Sequence, residues 1–285
     1  MNNWIEDIKN KYHASNIAEK LIFINIFVFV FTFLLNTFSA LFKIDGNLII
    51  DWFALSPHFD SLLFKPWTII SYGFIHSGFF HILFNLVFLY YIGNLFLNFF
   101  NKKQFLTYYF LGIIFGGIIY ILSYNYLPAL KSQQTVLVGA SAGVTAILVG
   151  LATHIPHYAL RFQFFGNIKL MYIAIGFVVL DLIQIPDGNA GGHLAHLGGA
   201  VIGYLLTRYF NKGKEVILNF ENLFQKKKEK PLKTVYKNKQ SNNKKPINPK
   251  DHQVKIDRIL DKISKSGYET LTKDEKDFLF KVGKN

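Results

Sequence analysis

Long apolar stretches without charge are the feature that most restricts how this chain can fold. A helix needs about 20 apolar residues to cross the hydrocarbon core of a bilayer. Backbone polar groups in lipid must be satisfied within the protein, which a helix achieves. The sequence therefore excludes a water-soluble fold and predicts an all-α, polytopic membrane protein with six transmembrane helices, at about residues 20–40, 78–100, 104–125, 136–154, 168–185 and 191–210.

The distribution of basic residues predicts the orientation of these spans. An even number of spans places both termini on one side, and the loops on that side contain Lys102, Lys103, Arg161 and Lys169. Because basic residues accumulate in cytoplasmic loops, we expect both termini in the cytoplasm. The first span is interpreted as a retained helix of a multi-pass cell-membrane protein. The abundance of Lys, Asn, Ile and Phe suggests a bacterial source.

Composition divides the chain into four parts. We predict a cytoplasmic N-terminal segment at 1–19, a membrane domain at 20–210, a basic, largely disordered linker at 211–250, and a small cytoplasmic helical hairpin at 251–285. Residues 211–285 hold 20 basic and 10 acidic residues, so most of the formal net charge of +13 lies there. Each lysine near an anionic bilayer gains about 1 kcal/mol. The tail is thus either an anionic-lipid contact or a solvated spacer, and no nucleic-acid partner is predicted.

Two further segments carry local signals. Residues 41–77 contain only short apolar runs, and Trp52 and Trp67 predict that this outer segment lies at the membrane interface. In the tail, Gly267 is a predicted helix stop, and Thr272 with Glu275 forms a predicted capping box.

Polar residues inside the spans are the candidate functional residues, because a polar side chain in lipid needs a partner or a purpose. With the amino end inside, the second, fourth and sixth spans all begin at the outer surface. Within about their first two turns lie His81, Asn85, Ser141 and His196, which therefore converge at a depth of about 10 Å or less. The most informative polar residues within the spans are His81, Asn85, Ser141, Asp181, His193 and His196.

Ser141 and His196 are the candidate nucleophile and base. Ser141 lies among small residues between Gly139 and Gly143, which by itself is more typical of a close helix contact. Gly199 and Gly203 follow His196 at helical spacing, so a groove along that face lets another helix bring its serine to the imidazole. A neutral imidazole in hydrogen-bond reach can then accept the serine proton.

The remaining polar residues leave alternatives open. His81 and Asn85 lie on one helix face and could donate to an oxyanion, or could form interhelical hydrogen bonds. His193 and His196 could instead ligate zinc or haem, with His76 and His81 as further ligands. Asp181 could orient a histidine or bond a neighbouring helix, and the structural role is favoured. The absence of cysteine excludes thiolate chemistry.

Three motifs, in this order and spacing, resemble those of the rhomboid intramembrane serine proteases over about residues 20–210. They are His76-Ser-Gly-Phe-Phe-His81-Ile-Leu-Phe-Asn85, Gly139-Ala140-Ser141 and Ala195-His196-Leu197-Gly198-Gly199.

The resemblance implies a Ser141–His196 dyad, without a third acid or a cofactor, that cuts a transmembrane helix near its outer end. It also implies that His81, Asn85 and the backbone N–H of Ser141 hold the oxyanion. Substrate would enter laterally, with the fifth span and loop 185–190 moving as a gate.

Two residues depart from the family pattern. Ala142 follows the nucleophile where glycine is common, which places a methyl group beside the oxyanion site. Thr145 stands where some members have an aromatic ring against the histidine, so that histidine needs another means of orientation.

We therefore expect an intramembrane serine endopeptidase acting on transmembrane segments of membrane-anchored proteins. The alternatives are a non-catalytic homologue that binds transmembrane helices and, less favoured, a transporter that uses the histidines.

Overall fold

The computed structural model describes residues 4–44, 46–131, 133–163, 166–214, 216–218 and 249–282. The chain forms two compact units, Met1–Gln225 and Lys226–Asn285. They are called the membrane unit and the tail unit below.

The membrane unit is helical apart from one short hairpin. Its strands, β1 Ala159–Phe162 and β2 Gly166–Lys169, pair antiparallel with Ala159 opposite Lys169. Its helices are α1 Trp4–Ala14, α2 Ile17–Leu41, α3 Leu48–Phe53, α4 Phe59–Phe64, α5 Thr68–Ser71, α6 Phe79–Leu97, α7 Lys102–Tyr126, α8 Ser141–His154, α9 Leu170–Gln184 and α10 Ala190–Phe210.

Four helices among the described residues are long and apolar enough to cross a membrane: α2, α6, α7, and α9 with the 3₁₀ turn that continues it to Asp187. Large apolar side chains on these helices face outward, such as Phe27, which is 71% exposed, and Phe84, which is 64% exposed. The all-α, polytopic class is therefore confirmed. The total of six spans stays a prediction, because α8 has only 14 residues and α10 falls outside the group of four.

Local capping explains where several helices begin. Asn16 caps α2 and forms a reciprocal capping box with Glu19, and Asn101 does the same for α7 with Gln104. Asn189 caps α10 by accepting a hydrogen bond from the backbone N–H of Gly192. Each cap satisfies backbone donors that a helix start leaves without partners.

α8 begins five residues later than the sequence predicted. The chain before it is extended: Leu55 and Leu137 exchange backbone hydrogen bonds of 3.1 and 2.8 Å, and Gly139 donates to the carbonyl of Tyr72 at 2.9 Å. Gly139 then turns with φ +123°, a conformation that side-chain-bearing residues rarely adopt. The predicted span 136–154 was therefore wrong at its start, and Ser141 is the first residue of the helix.

Glycine seams hold α7, α8 and α10 together. A Cβ added at Gly199 or Gly203 of α10 would collide with the backbone carbonyls of Ala142 and Ala146 in α8. On the other side of α8, a Cβ at Gly112 of α7 would lie 2.6 Å from the Ala146 methyl. Backbones this close require small residues, which confirms the groove predicted from the sequence.

The outer segment between α2 and α6 consists of the short helices α3, α4 and α5. The rings of Trp52 and Trp67 stack with centroids 6.1 Å apart, and the Trp67 indole donates to the Trp52 carbonyl at 2.7 Å. The Lys65 ammonium lies 4.9 Å from the Trp52 ring centre. This exposed aromatic cluster fits the predicted interfacial position.

The tail unit contains α11 Pro249–Ser266 and α12 Lys273–Val282, joined by a turn after Gly267, where φ is +82°. Thr272 and Glu275 form the predicted capping contacts, with the Thr272 N–H donating to Glu275 at 2.8 Å. Lys262 pairs with Glu275 at 3.0 Å. Most of the predicted linker at 211–250 lies outside the described residues.

Candidate active site

Ser141 and His196 meet at the N-terminal ends of α8 and α10. The Ser141 Oγ lies 2.6 Å from the His196 Nε2, which is a hydrogen-bond distance. The Gly199 seam lies three residues beyond His196, so the imidazole is positioned where α10 approaches α8 most closely. The structure thus brings together the two residues that the sequence proposed as nucleophile and base.

Because Ser141 lies at the start of α8, it is in a region of positive electrostatic potential in addition to contacting His196. The first backbone N–H groups of a helix have no intrahelical acceptor, and the helix dipole is positive there. Gly139 is essential to this turn for a second reason, because a Cβ there would lie 2.7 Å from the His81 Nε2. Backbone donors and the His81 ring therefore share one small region.

His81 and Asn85 line the same cleft from α6. The His81 Nδ1 lies 3.0 Å from the Ser77 hydroxyl, and a hydroxyl that donates to Nδ1 leaves the ring proton on Nε2, the nitrogen near Gly139. Asn85 is 7% exposed and donates from Nδ2 to the His81 carbonyl at 2.9 Å. Both predicted oxyanion residues thus lie beside the serine with a donor available.

A cleft of about 610 Å³ opens above the serine. Polar side chains, among them Ser141 and His196, line it together with apolar side chains from α6, α8, α9 and the extended segment before α8. A site with a few convergent polar groups and apolar walls suits an extended apolar ligand. The apolar lining includes Phe84, Phe88, Val136, Leu137, Val138, Val144, Leu148 and Phe177.

Asp181 lies beside both histidines of α10. Its Oδ1 lies 2.8 Å from the His196 Nδ1 and also 2.8 Å from the His193 Nδ1. The sequence favoured a bond to a neighbouring helix over the orientation of a histidine, and this contact joins α9 to a histidine of α10, so it agrees with either role. The sequence signal for this contact was the position of Asp181 along its helix. Asp181 is the twelfth of the 15 residues of α9, near the end that meets the start of α10.

The two departures from the family pattern have structural explanations. The Ala142 side chain is 1% exposed and faces α7, where a Cβ at Gly116 would lie 2.6 Å from its methyl group. Gly116 thus makes room for this methyl group. Thr145 is 2% exposed and lines the cleft, and the side chain that contacts the His196 Nδ1 is that of Asp181.

The structure brings together two of the four histidines that the metal-site alternative required, His193 and His196. Ligand atoms of Asp181, His193 and His196 lie within 4.8 Å of one another. His76 and His81 are not members of that group, within the part of the chain described. The two ring nitrogens of His76 are buried with no hydrogen-bond partner in the described part of the chain, and the ring packs against His81 with centroids 5.1 Å apart.

The fold and the site define a polytopic helical membrane protein with a serine–histidine pair at one end of its bundle. A sequence model of the rhomboid domain matches residues 63–212, and the chain belongs to the rhomboid family. A second model, described as a family of unknown function (DUF6576), matches residues 239–284 in the tail.

Three relatives are similar to this chain. RHOMBOID-like protein 12, mitochondrial, of Arabidopsis thaliana is 28% identical over 159 residues, which cover 52% of this chain and 47% of the relative. Rhomboid-like protease 3 of Toxoplasma gondii is 29% identical over 160 residues, covering 56% of each chain. Inactive rhomboid-related protein 2 of Caenorhabditis elegans is 28% identical over 158 residues, covering 52% and 42%. The chain thus spans about half the length of the curated relatives it matches.

Proposed function

We propose that this protein is an intramembrane serine endopeptidase that cuts transmembrane segments of membrane-anchored proteins near their outer end. The observation that carries the proposal is the 2.6 Å contact between the Ser141 Oγ and the His196 Nε2 beside an apolar cleft, in a chain of the rhomboid family. The similarity to a Toxoplasma protein named as a protease supports it.

The proposed reaction uses Ser141 as nucleophile and His196 as acid and base. The Ser141 oxygen attacks the scissile carbonyl carbon while its proton passes to the His196 Nε2. The imidazolium then gives that proton to the leaving amine as the C–N bond breaks, which leaves an ester on Ser141. Water, deprotonated by the same imidazole, hydrolyses the ester and restores the serine.

The oxyanion of each tetrahedral intermediate is held by donors around Gly139. The backbone N–H of Ser141, the His81 Nε2–H and the second amide proton of Asn85 are the proposed donors. Each such donor typically contributes 10²–10³ in rate, because it stabilises charge that appears only in the transition state.

Substrate would enter between α6 and α9, where the cleft has apolar walls. The rings of Phe88 on α6 and Phe177 on α9 meet with centroids 5.2 Å apart and close that side. Separation of these two rings would admit a helix from the bilayer. The loop 185–190, which includes a 3₁₀ turn and Gly188 at φ +112°, would move with α9.

The proposed location is the cell membrane, with both termini in the cytoplasm. The acidic and aromatic outer segment would then lie on the opposite side, at the same end as Ser141. The basic tail, whose sequence is rich in lysine, would lie next to the anionic cytoplasmic leaflet and contact its lipid.

A fluorophosphonate probe tests the nucleophile directly, with the adduct located by mass spectrometry on purified protein in lipid. We expect an adduct on Ser141 in the wild type and in Ser61→Ala, a control outside the cleft. Ser141→Ala and His196→Ala should give none while remaining folded and inserted. Labelling of another serine, or retained labelling in His196→Ala, would contradict the proposed pair.

A non-catalytic homologue that binds transmembrane helices is the second candidate, because one similar protein, from Caenorhabditis elegans, is named as inactive. That function predicts equal binding of a transmembrane peptide by the wild type and Ser141→Ala, with no cleavage by either. A folded, lipid-reconstituted wild type that neither takes up the probe nor cleaves would favour this alternative.

A further inference from the structure

We propose that Asp181 is a positioning residue that fixes the protonation state and orientation of His196, and that His193 holds Asp181 in place. The role in catalysis rests on the proposed protease function. The arrangement joins three residues on two helices, with Asp181 on α9 and both histidines on α10.

The contact with Asp181 determines which nitrogen of His196 carries the proton. An ionised carboxylate can only accept hydrogen bonds, so the His196 Nδ1, 2.8 Å from the Asp181 Oδ1, must be the donor. A neutral imidazole has one ring proton, so Nε2 presents a lone pair to Ser141 at 2.6 Å. This is the tautomer that can accept the serine proton.

The carboxylate is also placed to stabilise the charge that the reaction creates. When His196 takes the serine proton it becomes a cation in direct contact with Asp181, whose side chain is 7% exposed. A charge pair at this distance interacts more strongly in a desolvated site than in water. Asp181 touches neither serine nor substrate and acts only through the imidazole.

His193 explains why the carboxylate stays in position. It lies three residues before His196 on the same face of α10, and its Nδ1 donates to the same Oδ1 at 2.8 Å. A buried carboxylate is costly unless its charge is hydrogen-bonded, and here two N–H groups converge on one oxygen. The second oxygen, Oδ2, is buried and has no hydrogen-bond partner among the described residues, so the two N–H groups on Oδ1 hold the carboxylate.

The first test uses the wild type alone. In ¹⁵N NMR of histidine-labelled protein at neutral pH, protonated and unprotonated ring nitrogens are well separated. The His196 signals, assigned by their loss in His196→Ala, should show a protonated Nδ1 and an unprotonated Nε2. The opposite tautomer would overturn the proposal whatever the enzymatic activity.

The second test compares Asp181→Asn with Asp60→Asn, an exposed control on α4. Asp181→Asn should lower kcat about 100-fold, the lower end of the contribution of positioned proton transfer, with KM little changed. It should also move the ring proton of His196 towards Nε2, because an amide can donate to Nδ1. Asp60→Asn should match the wild type in both readouts. His193→Gln should give a smaller loss of kcat in the same direction, since His196 still bonds Asp181.

Three outcomes would overturn the proposal. If Asp181→Asn leaves kcat unchanged, Asp181 has no role in catalysis. If kcat falls but the His196 tautomer does not change, Asp181 is only a structural residue. Activity that chelator abolishes and Zn²⁺ restores would assign the cluster to a metal instead. A wild type that cleaves nothing defeats the protease proposal, whereas the tautomer still decides whether Asp181 positions His196.

Discussion

Asn85 has one amide proton committed and one available. Its Nδ2 donates to the carbonyl of His81, one turn earlier in α6, and an amide NH₂ group has two protons. The committed bond holds the side chain, and the amide belongs to the lining of the cleft that also contains Ser141. Asn85 is therefore better placed than a surface asparagine to stabilise a transition state without rearranging.

Replacing Asn85 with alanine should lower kcat about 100-fold and leave KM close to the wild-type value, because the lost hydrogen bond forms fully only in the transition state. Steady-state cleavage of a transmembrane substrate in proteoliposomes measures both constants. Asn94→Ala is the matched control: it lies on the same helix and makes the same kind of bond, to the Tyr90 carbonyl at 2.7 Å. A rise in KM alone would contradict the oxyanion role.

Residues that sit in motifs could be paired from the sequence, whereas the partner of Asp181 was left open between a histidine and a neighbouring helix. Ser141 among small residues and His196 before two spaced glycines have local patterns that carry chemistry. Asp181 has no such pattern, since its partner lies 15 residues away, beyond a turn. Its role depends on how far α9 extends towards the start of α10, and the predicted boundaries did not settle that.

Among the elements, α8 has the most unusual form. It is about 21 Å long for its 14 residues, shorter than the roughly 30 Å hydrocarbon core. Its short length leaves the nucleophile at a helix terminus, within the protein and open to the cleft. The sequence overestimated the length of this helix because residues 136–138 are apolar. The pairing of Leu137 with Leu55, which keeps this segment extended, joins residues far apart in the sequence.

Gly199→Ala should disrupt the α8–α10 contact, because its Cβ would collide with the Ala142 carbonyl. Overpacking of this kind typically costs about 1–3 kcal/mol, and the displaced helices would also separate Ser141 from His196. Thermal unfolding in detergent and the rate of fluorophosphonate labelling should both decline. Gly176→Ala on α9, where a Cβ meets nothing within 4 Å, should leave both unchanged. Equal behaviour of the two variants would argue against the seam.

The tail hairpin should depend on pH through Glu275. Hydrogen bonds from Thr272, followed by the Lys262 contact, lower the pKa of Glu275 to about 2. Since its pKa in the unfolded chain is higher, about 4.3, the stabilisation is present above that value and is lost as pH falls towards 2. The protection of the α12 amides against hydrogen exchange, measured in the full chain relative to the intrinsic rate at each pH, should decline over this range. Glu275→Gln should remove the pH dependence, whereas Glu269→Gln, at a 93% exposed side chain, should retain it.

At the scale of the whole molecule, the six-span topology is open to a direct test because the chain contains no cysteine. Single cysteines can therefore be introduced without background. With both termini in the cytoplasm, Asp60→Cys and Asp187→Cys should react with an impermeant maleimide added to intact cells. Arg161→Cys and Lys212→Cys should react only after the membrane is opened. Labelling of Lys212→Cys in intact cells would place the end of α10 outside and overturn the predicted orientation.

The general architecture was accessible from the sequence because lipid imposes simple rules. Apolar length and the need to satisfy backbone groups predict helices, and these rules identified α2, α6, α7 and α9 within a few residues of their ends. The β1–β2 hairpin was missed, because a short segment between two spans carries no comparable constraint.

The position of Asp181 on α9 has a consequence for when this protein could cut. Both of its partners lie on α10, and contacts of 2.8 Å are lost once the helices part by roughly 1 Å. Room for an additional peptide strand requires about 5 Å. If α9 swings aside to admit a helix, the imidazole loses its acceptor before the opening is wide enough. Peptide-bond cleavage would then wait until α9 has returned to its closed position. A membrane protein that contacts the open cleft only briefly, while α9 is displaced, would not be cut.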